Sequence, residues 1–272
     1  MQDMLKFKSG TDVRGIAVGE SDGKIPFLSD EAVRNIVFGF VEFLGKKPLK
    51  IAVGHDCRVS AQRLKNAVIS ALVDTGVTVI DCGLSSTPAM FMTNVELSCD
   101  AAIQLTASHH PWDKNGLKFF VNKSGIDGKQ LTEILKNAEN PTVPEGKKGT
   151  VEAVDFMPRY AEILREIIIR GTGEEKPLKG LKIAVDAGNG VGGFYAEQVL
   201  KPLGADVSGS RFLEPDGMFP NHIPNPENKQ AMQAISEAVI DSKSDLGLIF
   251  DTDVDRAACV DSSGREIARN RL

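Results

Sequence analysis

Three carboxylates, Asp251, Asp253 and Asp255, stand at i, i+2 and i+4 directly after the apolar run LGLIF. Carboxylates packed this closely raise one another's pKa unless a cation or base neutralises them. Their hard oxygens suit Mg²⁺. A solvated acidic turn shows the same spacing, whereas an EF-hand does not fit. The sixth position of such a loop would be Arg256 instead of glycine, the twelfth would be Ser262 instead of glutamate, and a strand precedes it.

A second chemical stretch is TASHHP (Thr106–Pro111), which follows the apolar run AAIQL. Ser108 sits there among small residues beside His109 and His110. A serine hydroxyl is a weak nucleophile and needs a neighbouring base or metal; His109 can be that base, or the loop can be a polar turn. Downstream, KNGLKFF (Lys114–Phe120) carries an Asn-Gly pair that reads as a turn, followed by a strand that brings Lys118 beside the serine loop. Two arginines near strands, Arg14 in SGTDVRG and Arg58 in GHDCRVS, have the planar fork that grips phosphate. The run GNGVGG (Gly188–Gly193) matches a dinucleotide fingerprint. The next strand, however, ends in SGSR without the acidic residue a ribose needs, so a tight strand–helix turn explains the glycines better.

These stretches are positioned by two passages that read alike. KIAVGHD, a helical SAQRLKNAVISALVDTG, VTVIDCG and AAIQLTASHH make the first. KIAVDAG, a helical GFYAEQVLKPLG, ADVSGSR and DLGLIFDTDVD make the second, at an offset of about 130–145 residues. Alternating strands and helices predict an α/β fold of two tandem similar domains, each a mixed, mostly parallel sheet with helices on both faces. The boundary is expected between 152 and 153, after the Pro/Gly/charge-rich stretch NAENPTVPEGKKGT and before the helix DFMPRYAEILREIIIRG. Both chemical loops follow the equivalent strand of their half, where open α/β sheets gather ligands.

With 272 residues, 42% hydrophobic and 25% charged, the chain has ordinary globular composition and room for two cores. A net charge of −5 argues against a nucleic-acid partner, whose binders show a basic face. The four cysteines form no CxxC pair, and so imply neither zinc nor a disulfide framework. No apolar run approaches the ~20 residues of a membrane span. A cytoplasmic location is expected, or an organelle if a transit peptide has been removed.

Taken in order, TASHHP, NGLKFF, DTDVDR and FPNHIPNPE (Phe219–Glu227) resemble the α-D-phosphohexomutase superfamily of phosphoglucomutases, phosphomannomutases and phosphoglucosamine mutases. The resemblance implies an intramolecular phosphotransferase that interconverts hexose 1- and 6-phosphates through a phosphoserine, with a hexose 1,6-bisphosphate as intermediate and activator. It implies that Ser108 is the phosphoryl carrier, and that Asp251, Asp253 and Asp255 hold Mg²⁺ together with an oxygen on Ser108. Arg14 and Arg256 would steady phosphate or the serine loop, Arg58 would support it, and His109 or Lys118 would move protons. The sequence departs from the family pattern at several points. Thr252 and Val254 replace both glycines of the common DGDGDR, which stiffens the loop, and His55 replaces an arginine of GRDxR. Only domains one and two are matched, and the sugar-reading and distal phosphate loops are not found before Leu272. Little turnover is therefore expected of this stretch by itself. The alternatives are a non-catalytic Mg²⁺- and phosphate-binding fragment and an aspartyl phosphatase or phosphotransferase in which Asp251 is the nucleophile.

Overall fold

The computed structural model describes residues 3–20, 23, 25–45, 49–142 and 146–268. The chain divides into two compact units, Met1–Asp155 and Phe156–Leu272.

In unit 1, eight strands form one sheet: β1 (Lys8–Ser9), β2 (Asp12–Ile16), β3 (Lys50–His55), β4 (Thr78–Leu84), β5 (Ala101–Leu105), β6 (Lys114–Val121), β7 (Ser124–Gly125) and β8 (Thr150–Ala153). Their order is β1-β2-β6-β5-β3-β4-β8, with β7 against β6. Strands β5, β3, β4 and β8 run parallel, as βαβ connections require, and β6, β2 and β1 continue the sheet antiparallel. Side chains alternate across it. Ile51, Val53, Ala101 and Ile103 enter the main core with residues of helices α1 (Asp30–Leu44), α2 (Ala61–Asp74) and α4 (Gly128–Asn137). On the other face, Gly54 and Gln104 lie under Met90 of α3 (Thr87–Glu96). Ser29 and Asp127 cap α1 and α4, the latter in a reciprocal box with Gln130.

Two expectations change here. Asn115-Gly116 is no turn; it lies inside β6, opposite Gly15 and Arg14 of β2. The reason is steric, because a Cβ at Gly116 would meet Val13 O at 2.0 Å and the Arg14 guanidinium at 2.6 Å. The stretch expected as a linker also runs into β8, which extends the first sheet along β4; residues 143–145 of it lie outside the described residues.

Unit 2 repeats the plan on a smaller scale. Helix α5 (Met157–Thr172) opens it, and β9 (Ile183–Asp186) pairs in parallel with β10 (Leu246–Phe250), which pairs antiparallel with β11 (Ala257–Asp261). This is the β3-β5-β6 arrangement again. The segment ADVSGSR is reduced to two parallel bridges on β9, Lys182↔Asp206 and Asp186↔Arg211. Helix α6 (Lys229–Ser242) packs Ile235, Ala238 and Val239 on one face. On the other, the π-helical segment Tyr195–Leu200 stacks Tyr195 on Phe250 at 4.6 Å and packs Val199 with Ala161 of α5. No helix among the described residues is long and apolar enough to cross a membrane.

Gly39 marks a close contact between α1 and α4, since a Cβ there would lie 2.4 Å from Ile134 O and 2.7 Å from Ala138 N. In an open helix Gly→Ala gains up to about 1 kcal/mol. Here two backbones must separate, and overpacking costs about 1–3 kcal/mol. Gly39→Ala is therefore expected to lower stability by ~1–2 kcal/mol in urea unfolding; a stabilised variant would show that α1 and α4 are not so close.

Candidate functional site

Ser108 leaves the carboxyl end of β5 on a loop that is held from below. Its φ is 51°, the left-handed region that L-residues rarely adopt, and the residue is 7% exposed. Such a conformation persists only where surrounding bonds over-determine it. Thr106 Oγ1 accepts from Ser108 N at 2.9 Å. Arg58, itself 2% exposed, donates from Nη2 to Ser108 O and His110 O, both at 2.6 Å, and from Nη1 to Pro111 O at 2.5 Å and Lys114 O at 3.0 Å. Its Nε donates to Asp56 Oδ2 at 3.2 Å, and its backbone N donates to Asp56 Oδ1 at 3.0 Å. All five guanidinium donors are thus spent on one carboxylate and four carbonyls.

Arg14 reaches the same loop from β2. It crosses Gly116 and donates from Nη1 to Thr106 O at 2.8 Å, and from Nη2 to Asp12 Oδ2 at 2.7 Å. Lys118, opposite Gln104 in the β5–β6 pairing, lies 4.0 Å from Asp12 Oδ2. His109 is half-buried and stacks on His110 with ring centroids 4.9 Å apart. Burial pushes the His110 imidazole down to about 4, helped by the adjacent His109 ring and by the cationic Lys114, Arg14 and Arg58, so His110 is neutral near pH 7. Unit 1 therefore gathers Ser108, His109, Arg14, Arg58 and Lys118 around one loop.

The aspartate loop belongs to unit 2 and follows β10. Asp251 and Asp253 are fully buried and Asp255 is exposed, yet one oxygen from each lies within 4.8 Å of the others. Arg256 folds back on Asp251, donating from N to Oδ1 at 3.0 Å and from Nη2 and Nε to Oδ2 at 2.7 and 3.1 Å; its Nε lies 3.6 Å from Asp255. Val254 takes a φ of 67°, strained for a β-branched residue. The donor chemistry fits a hard divalent ion, because three closely set carboxylates gather negative charge in a partly dry site.

The loop Gly188–Gly193 binds no pyrophosphate as folded. Gly188 N donates to Asp186 Oδ1 at 2.8 Å, Asn189 N to Phe212 O at 2.9 Å, Gly190 N to Ala187 O at 2.7 Å and Val191 N to Thr252 O at 2.9 Å. Four consecutive amides that a dinucleotide would need are already satisfied. A further pair, Asp186 and His222, escaped the residue-by-residue reading. His222 Nε2 lies 3.0 and 3.1 Å from the Asp186 oxygens and Nδ1 lies 3.0 Å from Ile223 O. Burial alone would push the His222 imidazole down, but the Asp186 hydrogen bond and charge raise it above its ordinary value. FPNHIPNPE carried a family likeness only; the partner aspartate sits 36 residues away, on β9.

This α/β architecture and its loops agree with known proteins. The pattern described as "Phosphoglucomutase/phosphomannomutase, alpha/beta/alpha domain I" matches residues 6–143, and that for domain II matches residues 158–264. The chain belongs to the phosphoglucomutase/phosphomannomutase family. It is 33% identical over 261 residues to a phosphomannomutase/phosphoglucomutase of Pseudomonas aeruginosa, covering 96% of this chain and 53% of that protein. It is also 33% identical over 270 residues to a phosphomannomutase of Escherichia coli, covering 96% and 56%. A solved family structure from Burkholderia thailandensis superposes with a TM-score of 0.84 at 31% identity, covering all of this chain and 57% of that one. The chain spans about half the length of these relatives.

Arg58 generates a direct test. Truncation takes the guanidinium away from the buried Asp56 carboxylate and four carbonyls, and breaking a buried pair from one side costs about 3–5 kcal/mol. Arg58→Ala is expected to cost that much in chemical denaturation, with Arg58→Lys recovering only part because an ammonium cannot span the same acceptors. A loss below ~1 kcal/mol for Arg58→Ala, the scale of a surface pair, would rule out this role.

Proposed function

We propose that this chain supplies the phosphoryl-carrying and metal-holding parts of a phosphohexomutase, with Ser108 as the carrier. The observation that supports this best is the serine loop itself, a left-handed Ser108 fixed by the buried Arg58 and by Arg14. Phosphoryl transfer needs little covalent help and much positioning and charge neutralisation. A phosphoserine brings about −1.5 to −2 of charge, which Arg14, reaching the serine loop from β2, offsets. When the sugar hydroxyl oxygen forms its bond to phosphorus, the bond to Ser108 Oγ breaks and the hydroxyl proton passes to a base. His109 and Lys118 are the two groups placed to take it. The reverse step returns the other phosphoryl group of the hexose 1,6-bisphosphate to Ser108.

Asp251, Asp253 and Asp255 are the residues that would hold Mg²⁺. The ion would supply neutralisation of phosphoryl charge. Arg256 balances Asp251 and keeps that carboxylate aimed. The same contacts disfavour an aspartyl nucleophile, since both Asp251 oxygens already accept from Arg256.

Two outcomes test this reading. Peptide mass spectrometry of the protein, or of a sample treated with glucose 1,6-bisphosphate and Mg²⁺, is expected to place phosphate on Ser108 and to find none in Ser108→Ala. Stoichiometric phosphate on Asp251 would overturn it. Asp253→Asn is expected to weaken Mg²⁺ binding at least tenfold by calorimetry, because it removes one of three ligand charges; equal affinity would remove the metal site.

A further inference from the structure

Outside the serine and aspartate loops, the most constrained place in unit 2 is where the Gly188–Gly193 loop meets the FPNHIPNPE segment. Asp186 is fully buried at the end of β9 and binds both Gly188 N and the His222 ring. Each nitrogen of His222 faces an oxygen acceptor, Asp186 on one side and Ile223 O on the other. Both ring nitrogens are therefore engaged by protein oxygens, and the work of His222 here is mechanical.

The pair presses the two loops together. Gly188 has a φ of +52°, and a Cβ there would meet Pro224 at 2.8 Å and His222 Cε1 at 3.0 Å. Asn189 adds a clasp, donating from Nδ2 to Glu214 O at 2.9 Å and accepting at Oδ1 from Asn221 Nδ2 at 2.7 Å. The far side of the same loop rests on the metal loop. Val191 N donates to Thr252 O at 2.9 Å, and a Cβ at Gly190 would lie 2.8 Å from Thr252 O and 2.9 Å from Thr252 Cα. Thr252 is the residue between Asp251 and Asp253. Its peptide groups set the separation of those two carboxylates.

We propose that His222 and Gly190 are positioning residues for the cation site. His222 latches the Gly188–Gly193 loop to Asp186, and Gly190 lets that loop seat against Thr252, which holds Asp251 and Asp253 at ligand spacing. The proposal rests on the reading of Asp251, Asp253 and Asp255 as cation ligands. Groups that orient metal ligands typically change affinity about 10–100-fold when lost.

The test is Mn²⁺ binding by electron paramagnetic resonance, with Mg²⁺ competition, on the whole chain and on variants checked for folding by circular dichroism. Gly190→Ala and His222→Ala are each expected to weaken binding about 10–100-fold. Asn221→Ala, an exposed change that removes one clasp hydrogen bond and folds even if His222→Ala does not, is expected to weaken it about two- to fivefold. Gly39→Ala, which strains unit 1 alone, is expected to leave affinity unchanged although it lowers stability. Binding within twofold of wild type in every folded unit 2 variant would overturn the positioning role while sparing the metal site. Absence of binding by the wild type would instead overturn the metal reading, and the positioning role with it.

Discussion

A buried carboxylate at the end of the first parallel strand, closed by a buried basic side chain, is the interaction on which each unit depends. In unit 1 it is Asp56 with Arg58, both side chains without exposure. In unit 2 it is Asp186 with His222, at 0% and 4%. Each aspartate also turns the chain, accepting the amide two residues on at Oδ1, from Arg58 N in one case and Gly188 N in the other. A lone buried charge is among the costliest things a fold can hold, and a paired one is tolerated only with its remaining donors and acceptors satisfied. That requirement fixes where the neighbouring loops must run, because they supply the satisfying groups.

Strain at the candidate site follows from the same logic. Ser108 at φ 51° and Val254 at φ 67° sit in a region that costs non-glycine residues about 1–2 kcal/mol. Neither would hold on an open loop. Ser108 is anchored at its carbonyl by Arg58 and at its amide by Thr106, and Val254 N donates to Asp251 O at 3.2 Å within a loop that Arg256 closes.

Much of this was legible in the sequence, and the reasons differ by residue. The repeated strand pattern gave the two β/α halves because burial on both faces leaves a nearly continuous apolar run, as in AAIQL and LGLIF. The aspartate spacing and the serine with its histidines declared chemistry by residue type alone. Asn115-Gly116 misled, since Asn-Gly favours turns and nothing local shows that Arg14 must cross that glycine. ADVSGSR read as a strand but forms only bridges on β9; its small residues pack little against neighbours, and strand formation depends on such packing. The Asp186–His222 pair was invisible because its partners are far apart in the chain and neither sits in a spaced cluster.

The two units then use one strand plan in different ways, and donor count accounts for it. Arg58 has five N–H groups, enough to hold Asp56 and four carbonyls of the serine loop at once, so a single side chain fixes that loop. His222 has two ring nitrogens, both engaged by Asp186 and Ile223. Unit 2 must obtain the rest of its rigidity from close backbone contact, and this is where its glycines go. Gly190 lies on Thr252, Gly192 on the Phe250 ring, and Gly193 where a Cβ would meet Leu213 O at 2.1 Å. The glycine run that resembles a nucleotide loop is better understood as the bed on which the aspartate loop is laid.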